Sequence, residues 1–120
     1  MFEALSTAIQ TLDIPPSCAA VVEVARQHST LSAKLTMALA EVDRSEDWAL
    51  DGSASMAAWT RNHLGLTHTQ ASKVLRTGRR LHGLPVTTAA WLASDLSDGQ
   101  IEIIVTNVPE RCAALWADHE

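Results

Sequence analysis

Residues 67–82 have one consistent reading as secondary structure. Ala71, Val74, Leu75, Gly78 and Leu81 recur at spacings of three and four, and Thr69, Ser72, Lys73, Arg76, Arg79 and Arg80 fall between them. At 3.6 residues per turn the first set makes one stripe that can face a core, and the second set lies on the other side. A strand would scatter both sets over its two faces. The ends are marked as well. Thr67 followed three residues later by Gln70 is a capping box, and Gly83-Leu84-Pro85 supplies the stop.

The same punctuation divides the rest of the chain. Residues 2–12 read as a short helix halted by Pro15-Pro16, and Ser17 can cap a long helix over residues 18–44. The seam Cys18, Val21, Ala25, His28, Ser32, Leu35, Leu39, Val42 alternates threes and fours, the pattern of a packed helix pair. His28 and Ser32 make its middle polar, which suits pairing, within the chain or between two copies, better than a lone helix. The charged stretch leading to Trp48 and Gly52 ends this helix. Ser53 or Ser55 opens a short helix through Trp59 to His63, and Leu64-Gly65-Leu66 forms a turn before the helix that starts at Thr67.

Beyond Pro85, a helix is expected from Val86 or Thr87 to Leu96. Ser97 with Gln100 repeats the capping box ahead of a helix to about Asn107, and Pro109 suits the first turn of a last helix holding Leu115 and Trp116. The absence of Tyr, the single Phe and the scarcity of β-branched runs argue against strands. Trp48, Trp59, Trp91 and Trp116 sit among Ala and Leu and are expected to pack in a core rather than serve as stacking platforms. The expected fold class is all-α, a single-domain helical bundle over residues 1–120. It has a long N-terminal helix and a central helix-turn-helix-like unit at residues 53–83. The end at Glu120 falls in mid-helix, so a longer protein is expected.

With 47% apolar residues the chain can bury a core without a metal or a disulfide. Cys18 and Cys112 form no Cys-x-x-Cys pair, which points to a reducing, cytoplasmic setting. No signal peptide and no stretch near the ~20 apolar residues of a bilayer span can be found, so no membrane association is expected. A net charge of −5 disfavours nucleic acid until its distribution is considered. Residues 52–94 contain no Asp or Glu but hold Arg61, Lys73, Arg76, Arg79 and Arg80, so this window carries +5 and the remainder −10. Just upstream lie Glu41, Asp43, Glu46, Asp47 and Asp51. The two blocks can pair with each other or face water, or the basic block can present a local positive field.

A short helix, a Gly-containing turn and a second helix with a basic outer face are the parts of a helix-turn-helix. In that motif the start of the second helix reaches base edges, while Arg and Lys hold phosphates. His68, Thr69, Ser72 and Lys73 would stand at the readout positions, and Arg76, Arg79 and Arg80 would act as phosphate clamps. The expected partner is double-stranded DNA, with a homodimer reading two half-sites. A protein-interaction or dimerisation domain built on the long helix, without nucleic acid, is the alternative.

Two family resemblances attach to these residues. Leu64-Gly65-Leu66-Thr67, Val74-Leu75-Arg76, Leu84-Pro85 and Leu96-Ser97, in that order, resemble the DNA-binding core of ParB-type partition proteins, whose recognition helix begins at the Thr/Ser position. That likeness runs from residue 64 to about 105 and does not extend to the family's nucleotide-binding region. A broader similarity is to the actinobacterial domain of unknown function 222, found in thirteen-E-twelve repeat proteins. It rests on Leu39-Ala40-Glu41-Val42-Asp43, Trp48, Asp51-Gly52, Ser55-Met56-Ala57-Ala58-Trp59, Leu64-Gly65-Leu66-Thr67, Ala71, the arginines from Arg76 to Arg80, Leu84-Pro85 and Leu96-Ser97. The resemblance implies a region placed ahead of an HNH nuclease domain in proteins linked to mobile DNA, with no activity assigned to the region itself.

No catalytic residues are expected in the chain. An HNH centre needs His and Asn ligands converging on a divalent metal beside a His base. Asn62-His63 and Asp118-His119 lack that setting, and His63, His68 and His82 do not share the i, i+3 or i, i+4 spacing of a helical metal site. Neither a nucleophilic triad nor a phosphate-cradling glycine loop is present. No metal, no cofactor and no small-molecule substrate are expected, and the acidic pairs read as a solvated helix end.

Overall fold

The computed structural model describes residues 1–107. They form six α-helices: α1 (Glu3–Thr11), α2 (Cys18–Ser45), α3 (Met56–Leu64), α4 (His68–Leu81), α5 (Pro85–Leu92) and α6 (Asp98–Asn107). A 3-10 segment, Asp47–Asp51, joins α2 to α3, and no strand occurs among the described residues. None of these helices is long and apolar enough to cross a membrane. The expected last helix, with Pro109, Leu115 and Trp116, lies outside the described residues, as does Cys112.

The caps account for where the helices begin. Ser17 Oγ accepts from the Ala20 N–H at 3.2 Å, and Ser55 Oγ accepts from the Ala58 N–H at 3.1 Å. Both capping boxes form. Thr67 and Gln70 exchange bonds of 3.0 and 3.1 Å, and Ser97 and Gln100 exchange bonds of 2.9 and 3.2 Å. Each box satisfies two amide groups that a helix start otherwise leaves to water. At the other end of α2 the chain turns through Glu46, in the left-handed region at φ 58°.

Both expected ends of α5 move. α5 starts at Pro85, not at Val86 or Thr87, because proline is favoured at the first helical position, where no N–H is needed. It ends at Leu92 rather than Leu96. Ser94 turns to φ 65°, and the N–H groups of Asp95 and Leu96 fold back onto the Ala90 carbonyl.

Two apolar clusters hold α2 to α6 together. Ala33, Leu81, Leu84, Trp91, Ile101 and Val105 form one, and Leu39, Met56 and Leu75 form the other, with Trp48 and Trp59 packed against it. The α4 stripe is seated as its spacing predicts: Ala71, Leu75, Gly78 and Leu81 are buried and Val74 is half-buried. Trp91 is 3% exposed, and its indole N–H donates to Asp98 Oδ1 at 2.8 Å, so the buried ring keeps a polar partner.

The long helix is the main correction. Its buried face is Ala33, Thr36, Leu39 and Ala40, not the seam from Cys18 to Val42. Of that seam only Leu39 is buried; Ser32 and Val42 are half-buried, and Cys18, Val21, Ala25, His28 and Leu35 are exposed. The cause is close helix approach. A Cβ built on Gly78 of α4 would lie 3.1 Å from Ala40 Cβ and 3.4 Å from the Thr36 carbonyl oxygen. Small residues let the two backbones meet, so Thr36 and Ala40 take the contact at Gly78 in place of larger apolar neighbours, and Ala33 packs with Leu81 and Trp91.

Candidate nucleic-acid interface

α3, its turn and α4 form the unit on which the candidate site is built. α3 buries Met56 and Thr60, and the Thr60 hydroxyl donates back to the Met56 carbonyl at 2.8 Å. The helix stops at Gly65, whose φ of +65° is strain-free only for glycine. Two residues later the Thr67 box starts α4, so the turn geometry and the new helix are fixed by adjacent residues.

The first half of α4 faces outward. His68, Thr69, Ser72, Lys73 and Arg76 are all exposed, above a buried Ala71 and Leu75. The helix carries no acidic residue in its first turn, and its N-terminus adds partial positive charge to this surface. Arg76 makes no ion pair among the described residues, and neither does Arg61 on α3, which is also exposed.

The remaining cations of the expected basic face are engaged within the fold. Lys73 Nζ lies 2.6 Å from Glu102 Oε1 on α6, with both side chains about half exposed. Arg79 binds Asp43 of α2 at two points, Nε to Oδ2 at 2.6 Å and a terminal nitrogen to Oδ1 at 3.1 Å. Asp43 is only 15% exposed, and its hydrogen bonds hold the Arg79 guanidinium pKa above its ordinary value. Arg80 is half-buried and donates to the Val105 carbonyl at 2.6 Å, in the last turn of α6, where backbone carbonyls lack helical partners. The four cations therefore do not share one open face. Arg76 is exposed with no ion pair among the described residues, Lys73 is half exposed in its pair with Glu102 of α6, and Arg79 and Arg80 tie α4 to α2 and α6.

The histidines are dispersed. His63 lies 2.7 Å from Asp51 Oδ2 and stacks on Trp59, with ring centroids 4.9 Å apart. The Ser53 hydroxyl, donating to Asp51 at 2.6 Å, is the main reason that this carboxylate titrates below its usual range, and His63 adds to the effect. Among the described residues no group of three or more His, Cys, Asp or Glu side chains could hold a metal ion.

The sequence model of a family described as "Domain of unknown function (DUF222)" matches residues 18–116. This chain belongs to the DUF222 family. The DUF222 match begins at Cys18, the first residue of α2, so it takes in α2 to α6 and leaves α1 outside. No curated protein and no solved structure matches the chain.

Arg61 is the residue that the reading of the sequence passed over. It belongs to the acid-free window but lies on α3, the first helix of the pair, outside the second helix that carries the contacts expected from sequence. The signal that marks it is the engagement of Lys73, Arg79 and Arg80 within the fold, which leaves Arg61 and Arg76 without an ion pair among the described residues.

Proposed function

We propose that this DUF222 chain is a non-catalytic DNA-contacting module that uses α3–turn–α4 as a helix-turn-helix. The reading rests on one observation above the others: the exposed, acid-free start of α4, held by a two-bond capping box, together with the exposed Arg61 and Arg76, which make no ion pair among the described residues. His68, Thr69 and Ser72 offer hydrogen-bonding groups of the size that reads base edges, and Arg61 and Arg76 offer charges for phosphates. Lys73 is a third cation, because its ion pair with Glu102 is half-exposed and such pairs contribute ~0–1 kcal/mol. Exchange of Glu102 for a phosphate is therefore inexpensive. Arg79 and Arg80 contribute through the fold, by fixing α4 against its neighbours.

The local ParB-like order of residues supports the same reading. The resemblance to thirteen-E-twelve proteins adds a context, a targeting region ahead of an HNH nuclease domain in proteins linked to mobile DNA, acting in the cytoplasm. The alternative, a protein-interaction or dimerisation domain built on the long helix without nucleic acid, draws on the exposed apolar Val21, Val22, Leu31 and Leu35 of α2.

The test is fluorescence anisotropy of a labelled duplex titrated with the chain from about 20 to 200 mM salt. Two to three phosphate contacts give a slope of log K against log salt of roughly −2 to −3 per monomer. Absence of binding at the lowest salt, with the chain folded by circular dichroism, would refute the proposal.

A further inference from the structure

α1 has nine residues and buries none of them. Helices shorter than about 12–15 residues are marginal in water by themselves, so the helicity of α1 calls for a packing partner. Its apolar side chains mark the face that would pack. Phe2, Leu5, Ile9 and Leu12 are spaced three, four and three apart, and all are exposed.

The start of α2 has the complementary deficit. Its buried face begins only at Ala33. Among residues 18–28 none is buried, only Ala20 and Val24 are half-buried, and none joins either apolar cluster. Along this stretch Cys18, Val21, Ala25 and His28 are also spaced three, four and three apart, and all four are exposed. They are the half of the seam that the fold leaves uncovered.

The two stripes are in register for an antiparallel helical hairpin. Outward from the connection, α1 presents Leu12, Ile9, Leu5 and Phe2, and α2 presents Cys18, Val21, Ala25 and His28. Each stripe runs for about 15 Å at the α-helical rise. Neither contains Asp, Glu, Lys or Arg, so no charge is buried by bringing them together. The connection, residues 13–17, has a length that commonly joins antiparallel helices. So short a tether holds α1 at a roughly millimolar effective concentration beside its own α2, which favours closure within the chain over exchange with a second copy.

We propose that α1 is a strap that closes on the first half of its own α2, setting Leu12 against Cys18, Ile9 against Val21, Leu5 against Ala25 and Phe2 against His28. The structure shows the strap open. Closure covers the exposed Cys18 thiol and supplies the contact that a nine-residue helix needs. The strap lies outside α3, its turn and α4, so it does not depend on DNA contact.

Disulfide trapping tests it in the full chain, with Cys18→Ser and Cys112→Ser removing the native thiols. With Ile9→Cys and Val21→Cys in one chain, mild oxidation is expected to give a disulfide within the monomer, seen as a faster band on a non-reducing gel. Placing the second cysteine at Gln27, on the side of α2 away from the seam, is expected to slow trapping by roughly tenfold or more, because cysteines over about 7 Å apart cannot bridge. All three positions are exposed, so the core is untouched. A second readout keeps Cys18 and removes only Cys112. Ile9→Glu is then expected to speed the reaction of Cys18 with dithionitrobenzoate by roughly tenfold, the effect of losing one buried apolar anchor. Four results would overturn the proposal: no disulfide in the folded chain, equal trapping at Val21 and Gln27, crosslinks only between chains, or a Cys18 rate unmoved by Ile9→Glu.

Discussion

The closeness of α2 and α4 at Gly78 gives a stability prediction whose sign depends on packing. In a helix interior, Gly→Ala gains about 1 kcal/mol from propensity alone. At Gly78 the new methyl would meet Ala40 Cβ at 3.1 Å and the Thr36 carbonyl oxygen at 3.4 Å. Carbon atoms prefer about 3.5–4.0 Å, so the helices must part by roughly half an ångström. Neither contact is the tip of a flexible side chain, and overpacking of this kind costs about 1–3 kcal/mol. Gly78→Ala is therefore expected to lose about 1 kcal/mol net. Gly99→Ala is the internal control. Its Cβ comes no nearer than 3.9 Å to Ser97 Oγ, so that variant is expected to gain up to about 1 kcal/mol. Urea unfolding reads both as midpoint shifts at constant slope. If Gly78→Ala gains as much as Gly99→Ala, the small-residue contact between α2 and α4 is wrong, and with it the placement of the α4 outer face.

Other outcomes follow from the polar contacts. Arg79→Gln is expected to cost about 1 kcal/mol in urea unfolding, the upper end for an ion pair, because Asp43 is mostly buried while Arg79 is 59% exposed. Trp91→Phe removes a buried donor to Asp98 and is expected to cost about 1–2 kcal/mol, with Asp98 still accepting from the Ser29 hydroxyl at 2.8 Å. Asp51 titrates below its usual range through Ser53 and His63. Its contribution is therefore present at neutral pH and lost as the pH falls through the depressed value, and Asp51→Asn should flatten the acid limb of a pH-stability profile.

Much of the fold is legible in the sequence where polar side chains act on nearby backbone. Ser17, the Thr67–Gln70 and Ser97–Gln100 boxes and the Gly65 turn are local, and each stands where its residue types require. The α4 faces are legible because Lys and Arg contrast sharply with Ala, Val and Leu. α2 is not, since Ala, Ser and Thr blur its period and two overlapping stripes fit. The buried stripe is the one whose small residues admit Gly78, a partner 38 or more positions away in sequence. The ion pairs Arg79–Asp43 and Lys73–Glu102 are also remote in sequence, which is why the sequence leaves open whether the basic window pairs with acidic groups or stays open until the fold divides it.

The division of that face is the central claim, and the salt dependence of duplex binding tests it most directly. Anisotropy titrations of Arg76→Gln and Arg79→Gln, each checked for folding, should separate the two classes of arginine. Loss of Arg76 is expected to flatten the slope of log K against log salt by about one and to weaken binding to all sequences alike. Loss of Arg79 is expected to leave the slope unchanged while lowering the unfolding midpoint. Equal changes in slope for both variants, or a change for Arg79 alone, would contradict the assignment of Arg76 to DNA and Arg79 to the fold.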